Sequence, residues 1–522
     1  MHEEHEVLFR NGTVHLFDDD RTTTESVLFR GNRVVATGPT SQVEAEATSP
    51  EVVDLGGRTV LPGFNDAHTH IFSVGIQLIE TDLSSSDTRE EAVSLLEDNA
   101  ERTNEGEWVL GFGYDESTWP EGERDYLSLA ELDAVSEDHP IIATRVDGHT
   151  SSLNSLAMKQ INFEGVEHDV ITEGGEATGR VVEDAAGQAR AASYPGVEKA
   201  QRALDAAIEH VYRLGITSVQ TMAGLTRVRE HGNVQQEALF RTWREGGLDL
   251  RVTFYAPSWQ AESLSDLELT FGFGDEYLRI GGLKTFSDGS IGSQTAKLYG
   301  DFADDPGNRG QMVNDGDQLE AWYRHAARTN QQIATHAIGG RAIDTVLDRY
   351  EAVLGEYDFD ARLRIEHVEL ATDEALARMA EHGIVASMQP NFLQWSEPSG
   401  LYETRLGEET LATNNRFRDV LDADIPLAFG SDKMPPGPLY GIDYAVNAEH
   451  EAQCLTVDEA IAACTRGAAY AEFTETQKGT LESGMLGDAV VLERDPHDHP
   501  GDVADIDVIM TVLDGDIVYD AR

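Results

Sequence analysis

The chain has 522 residues, 40% of them hydrophobic and 7% aromatic, with a formal net charge of −56 and a pI near 4.4. That length exceeds one ordinary core, so a large barrel with a second domain, or two to three domains, is expected. The apolar share excludes a disordered chain, and the missing basic footprint argues against nucleic acid or anionic membranes as partners.

The acid excess is dispersed along the chain, and only six basic residues are lysines. Such a surface repels itself in dilute buffer and is screened at molar salt, where the Debye length falls to ~3 Å. The expectation is a halophilic, cytoplasmic protein; an unusually acidic enzyme from a low-salt cell is the alternative. Cys454 and Cys464 match no zinc spacing, lie in a helix-like stretch and read as small buried residues, so no disulfide framework is expected. The start, Met1 to His5, lacks a basic region followed by an apolar one. No apolar run reaches the ~20 residues of a membrane span. A soluble, intracellular protein is expected.

In chain order, the first 60 residues read as β-structure. Val7 to Arg10 is strand-like and Asn11-Gly12 is a turn signal; Ser26 to Arg30 and Arg33 to Ala36 flank Gly31-Asn32 as a hairpin. The chain closes the same way, with Ala489 to Leu492 and a hairpin of Val508 to Leu513 and Asp516 to Tyr519. Residues 1–60 and 474–522 are therefore expected to build one small β-sandwich from both chain ends.

Residues 61–473 alternate. Strand-like segments before His68 and at 215–221, 250–256, 278–286, 332–338, 363–368, 384–388 and 426–429 make eight. Helix-like stretches at 236–243, 318–329, 341–354, 372–380 and 409–421 lie between most of them. Alternation of this kind means βα units and parallel strands, and eight units suggest an α/β TIM barrel, with a doubly wound sheet as runner-up. Residues 75–195 interrupt the rhythm with short strands (108–111, 141–145), loops and acidic helical pieces. They are too long for an ordinary connection and read as an inserted cap subdomain after strand 1.

His68 and His70 close the run Pro62-Gly63-Phe64-Asn65-Asp66-Ala67-His68-Thr69-His70. Side chains at i and i+2 of a strand share a face, so both imidazoles can aim at one point, as a divalent metal requires. Lys284, His336, His367 and Asp432 fall at or just past later strand ends. In a TIM barrel these ends form one mouth, where the active site lies. Taken singly, His336 or His367 reads better as a satisfied core histidine; placed jointly at consecutive strand ends, both read better as ligands. Asp66 either supports a metal-bound histidine or fixes a turn. His149 in the insert and Asp288 in Asp288-Gly289-Ser290 are candidate substrate contacts, each with a purely structural alternative; Asn154, with Asp147-Gly148-His149, is a candidate through the resemblance given next.

These motifs, with Gly282-Leu283-Lys284-Thr285-Phe286, Ala334-Thr335-His336-Ala337, Ile365-Glu366-His367, Gly430-Ser431-Asp432 and the closing Gly484-Met485-Leu486-Gly487-Asp488-Ala489, resemble the amidohydrolase superfamily. They are most similar to the branch that includes the N-substituted formamide deformylases. The resemblance implies one or two divalent transition metals per chain, zinc being favoured by histidine-rich ligation. His68, His70 and Asp432 would hold one metal, and His336 and His367 the second. Lys284 would be carboxylated and bridge them, a role that arginine cannot fill. Asp432 would be the general base, with His367 next in line. The implied reaction is hydrolysis of the C–N bond of a small-molecule amide. A deaminase, a cyclic amidase, or an inactive scaffold relative are the alternatives. Oligomeric state stays open, a homodimer being one expectation. One departure stands out: Val219-Gln220-Thr221 occupies a place where relatives often carry His-Asp, which is expected to alter substrate contacts.

Overall fold

A computed structural model of the chain describes residues 5–122, 124–146, 150–222, 233–359, 362–397 and 400–522. Among them, eight parallel strands form one sheet: β1 (Phe64–Thr69), β2 (Ile216–Met222), β3 (Arg251–Pro257), β4 (Leu278–Phe286), β5 (Gln332–Ala337), β6 (Arg364–His367), β7 (Val385–Met388) and β8 (Leu427–Phe429). Neighbours pair in sequence order, with Thr221 opposite Thr69 and His336 opposite both Phe286 and Glu366. The end strands close on one another. The Asp432 N–H donates to the His68 carbonyl at 2.7 Å, and Asp66 accepts from the Ser431 N–H and hydroxyl at 2.9 and 2.5 Å. Gly430 permits this approach, since a Cβ there would lie 2.3 Å from the His68 nitrogen. The architecture is thus the TIM barrel, and not the doubly wound sheet.

The helices between strands are amphipathic and capped. In the helix Gly316–Arg328, Asp315 accepts from the Gln318 N–H, and Leu319, Tyr323, Ala326 and Ala327 turn inward. Asp373–His382 begins at a Thr372 cap and ends at Gly383 with φ +61°. One expected helix is absent as such. The stretch 409–421 divides into Glu408–Leu411 and Phe417–Asp422, because Asn415 adopts φ +47° and donates its N–H to the Glu369 carbonyl at 2.8 Å. The cysteines also depart from expectation. Cys464 is buried just past the helix Val457–Ala463, whereas Cys454 is half-buried, outside any helix, with its thiol on the Val446 carbonyl.

The barrel floor is polar. Glu472, fully buried, accepts from Asn65 at 2.7 Å and pairs with Lys478 at 2.8 Å, and Lys478 also donates to Ser218. Both chain ends meet in a six-stranded sheet ordered Asp516–Asp520, Val508–Leu513, Ala489–Leu492, Thr59–Pro62, Thr13–His15, Thr23–Thr24. A second sheet, of Arg33–Gly38, Ser26–Arg30, Glu6–Arg10 and Glu51–Asp54, packs on it through Phe9, Phe29, Val60, Val491 and Val512. Arg251 of β3 is buried and ties this sandwich to the barrel, bonding Asp488 at 2.6 and 2.8 Å and also Asp514.

Contact density divides the chain into two compact units. Residues 72–207 with 226–242 form one, and the barrel and sandwich belong to the other. The first unit holds more than isolated short strands. It contains a six-stranded mixed sheet ordered Val170–Glu173, Glu176–Val182, Thr150–Leu153, Ile141–Arg145, Val109–Tyr114, Thr81–Asp82, with Trp119 and Leu132 in its core. Its antiparallel members are polar and short, which hid them in the sequence. Among the described residues no helix is long and apolar enough to cross a membrane.

Candidate metal centre

Strand alternation delivers the first pair of imidazoles. His68 ends β1 and His70 follows it; their ring centroids lie 5.8 Å apart, and their Nε2 atoms lie 3.9 and 3.2 Å from Asp432 Oδ1. His367 lies 4.9 Å from the His68 ring and 4.5 Å from the His336 ring, and Phe392 stacks on it within 9° of parallel. Donor atoms of His68, His367 and Asp432 all fall within 4.8 Å of one another. Lys284, near the end of β4, is 3% exposed, with its Nζ 4.7 Å from the Phe286 ring centroid.

Each imidazole is held by one nitrogen. His68 Nδ1 faces Glu366 at 2.6 Å, His70 Nδ1 the Met222 carbonyl at 3.1 Å, His336 Nε2 the Gly289 carbonyl at 2.9 Å, and His367 Nδ1 the Gln389 Oε1 at 2.7 Å. An acceptor oxygen places the ring's N–H on that nitrogen and leaves a lone pair on the other, the form that binds metals. Burial, reinforced by Lys284, lowers the pKa of His68 and pushes that of His336 down to about 3; burial and then His336 hold His367 well below the ordinary range. These three rings are therefore neutral at working pH.

Asp432 behaves oppositely. Burial disfavours its charge, but His70, His68 and Lys284 outweigh it and hold the carboxyl at about 2. Burial pushes Lys284 down to about 8 against the pull of Glu366 and Asp432. The buried atoms without a hydrogen-bond partner include Lys284 Nζ and Asp432 Oδ1. Neutral imidazoles and an anionic aspartate fit a divalent cation well, whereas Lys284 fits one only once its positive charge is removed.

The backbone is forced at the same places. His367, Val368, Asp432 and Lys433 have φ of +77°, +53°, +48° and +59°. Such conformations cost ~1–3 kcal/mol each for ordinary residues and persist where surrounding structure over-determines them. On a regular strand His367 would share a face with Ile365, opposite Glu366. Its left-handed φ breaks that alternation, so Glu366 and His367 both reach the centre.

Three other candidates have different surroundings. Asp288, 1% exposed, accepts from the N–H groups of Lys297, Ile338 and Gly339 at 2.7, 3.1 and 2.9 Å and sits 3.7 Å from His336 Nε2. It pins the loops that carry His336. Asn154 caps the helix Ser155–Gln160, accepting from Ala157 and Ile141 and donating to the His139 carbonyl. Its amide is engaged in holding that turn. His149 lies outside the described residues. Asp66 accepts from the His68 N–H at 3.2 Å and from Ser431, so it supports His68 through the backbone while closing the barrel.

The sequence reading missed the group that does support His68. Glu366 is fully buried, held well below the carboxylate range by Arg364 and His68 against the cost of burial. Arg364, also fully buried, bonds both Glu366 oxygens at 2.9 and 3.2 Å, the Ala67 carbonyl and the Tyr255 hydroxyl at 2.9 Å, Ser387 at 3.1 Å, and Gln220. Gln220 is thereby accounted for: it faces the barrel interior, bonding Arg364 and the Ala468 carbonyl, and not the mouth. The available signal was Arg364-Ile365-Glu366, two opposite charges at i and i+2 of one strand.

A barrel with this centre at its strand ends defines a metal-dependent hydrolase. Residues 51–519 match the amidohydrolase family, and the chain belongs to it. It is an enzyme, a hydrolase acting on carbon–nitrogen bonds. It is 29% identical to the protein LONG AFTER FAR-RED 3 of Arabidopsis thaliana, over 98% of this chain and 91% of that one. It is 26% identical to the N-substituted formamide deformylase of Arthrobacter pascens, over 100% and 99%. A crystal structure of an uncharacterized metal-dependent hydrolase from Pyrococcus furiosus superposes with a TM-score of 0.80 at 29% identity, covering 94% of this chain and all of that one.

Proposed function

We propose that this protein hydrolyses the C–N bond of a small amide, with an N-substituted formamide as the leading substrate class, using one or two divalent cations of which zinc is the best match. The observation that carries the reading is the cluster of His68, His367 and Asp432 donor atoms within 4.8 Å, with His70 against Asp432, His336 against His367, and Lys284 Nζ buried without a hydrogen-bond partner. The likeness to a deformylase along the whole chain supports the formamide.

His68 and His70 with Asp432 are assigned to one cation, and His336 and His367 to the second. Lys284 is expected to be carboxylated: its lone pair bonds the carbon of CO2, one N–H proton departs to solvent, and the resulting anionic carbamate offers two oxygens. A bound cation supplies Lewis acidity, drawing the pKa of water toward neutrality and polarising the scissile carbonyl. Asp432, anionic and adjacent, takes a proton from the attacking water as its oxygen bonds the carbonyl carbon. Asp432 then delivers that proton to the leaving nitrogen as the C–N bond breaks, releasing an amine and a carboxylic acid. Glu366 and Gln389 keep His68 and His367 in their neutral tautomers throughout. The enzyme is proposed to work in a saline cytoplasm, consistent with its charge of −56 and two free cysteines.

The test is a hydrolysis screen of formamides, acylated amines and cyclic amides in molar potassium chloride, with metal analysis of the same sample. Turnover of formamides supports the assignment. Turnover confined to cyclic amides or aminated rings would move it to a cyclic amidase or deaminase, and no turnover at all would favour an inactive relative.

A further inference from the structure

A second constellation of ligand-type side chains lies in the sandwich. His15 ends the strand Thr13–His15, while Asp495 and His497 follow the strand Ala489–Leu492. His15 Nε2 and His497 Nδ1 lie 2.7 Å from opposite oxygens of the Asp495 carboxylate. The two rings stack with centroids 4.6 Å apart and 27° between planes. All three residues are half-buried, and their donor atoms fall within 4.8 Å of one another.

The wiring repeats that of the catalytic imidazoles. His15 Nδ1 faces the Thr23 hydroxyl at 3.2 Å, and His497 Nε2 faces Asp458 at 2.9 Å. Each ring thus has an outer partner able to take its N–H, leaving the inner nitrogen's lone pair toward Asp495. A lone pair 2.7 Å from a carboxylate oxygen is repulsive unless a cation lies between them. Protons fill both gaps in the alternative arrangement, with the Thr23 hydroxyl donating to a neutral His15 and His497 an imidazolium between Asp495 and Asp458, whose hydrogen bonds raise its pKa. One divalent cation bound by both inner nitrogens and the carboxylate satisfies the same three groups, whose donor atoms already lie within 4.8 Å of one another. The surrounding charge of −56 adds to its attraction.

We propose that His15, Asp495 and His497 form a structural site for a divalent transition metal, separate from the catalytic centre, with Thr23 and Asp458 orienting the two imidazoles. Two nitrogens and a carboxylate suit zinc, cobalt or nickel over calcium or magnesium. Its ligands stand 480 positions apart in sequence, so the ion clips the first strands to the last ones. Binding free energy at such a clip is folding free energy.

The test compares metal-saturated wild type with His15→Ala and His497→Gln in molar potassium chloride, by elemental analysis and thermal melts. Wild type should hold one more zinc equivalent than either variant and should melt higher when zinc is added, a rise the variants lack. Hydrolysis should persist in all three. Asp458→Asn should retain the site with affinity ~10–100-fold weaker. Equal zinc content in wild type and folded His15→Ala would overturn the proposal, leaving a proton-bridged ion cluster. Should neither histidine variant fold, cobalt titration of wild type preloaded at the catalytic centre decides. One further saturable equivalent with a higher melting temperature supports the site, and no further uptake overturns it.

Discussion

Replacing Arg364 by methionine would remove a guanidinium that serves Glu366, Ala67, Gln220, Tyr255 and Ser387 at once, all in a fully buried setting. The variant roughly keeps the volume but leaves the Glu366 carboxylate without its guanidinium, accepting from the neutral His68 ring. Breaking a buried pair in this way costs ~3–5 kcal/mol, because one charge stays behind uncompensated. Domains are stable by only ~5–15 kcal/mol, so the loss is a large share of the total. Urea unfolding in molar potassium chloride, with metal content measured on the folded fraction, reads both consequences. The midpoint should fall steeply, and metal retention should fall with it, because Glu366 no longer holds His68 in place. Adding Glu366→Gln to Arg364→Met should cost less than the sum of the two, by ~0.5–3 kcal/mol, as expected for residues in one network. An Arg364→Met protein within ~1 kcal/mol of wild type, with full metal content, would refute the idea that this network supports the centre.

Three further outcomes are expected. Lys284→Ala should lose activity and regain part of it with short carboxylic acids, measured as turnover against added acetate or formate; rescue by amines alone would indicate an ordinary lysine. Asp432→Asn should keep the fold and at least one metal while kcat falls by at least ~10²–10⁴-fold, with KM moving less. If kcat survives with metal bound, Asp432 is a ligand only and His367 becomes the candidate base. Thermal melts should rise steeply from low to molar potassium chloride, because screening relieves the self-repulsion of a chain carrying −56; a flat curve would count against a halophilic surface.

The barrel was legible in the sequence because its strands are apolar runs separated by periodic, capped helices. The expected β4 at 278–286 coincides with Leu278–Phe286, and the others differ by a residue or so at either end. The strand-end positions of His68, Lys284, His336, His367 and Asp432 were legible for the same reason, since a strand end fixes where a side chain lies before any contact is known. What escaped depended on tertiary contacts. Arg364 and Glu366 are intelligible only inside a closed barrel, where each satisfies the other. The break at Asn415 is set by the Glu369 carbonyl, far away in sequence. The helix cap of Asn154 and the bonds of Gln220 to Arg364 and Ala468 likewise appear only once the chain is folded.

The central claim is a metal-dependent centre at His68, His70, Lys284, His336, His367 and Asp432. Elemental analysis and turnover of one protein sample, before and after chelation and after zinc is restored, test it most directly. The catalytic centre should contribute one or two transition-metal equivalents per chain, which His68→Ala/His70→Ala should reduce. Activity should vanish with chelation and return with zinc. A metal-free protein that retains full activity would contradict it.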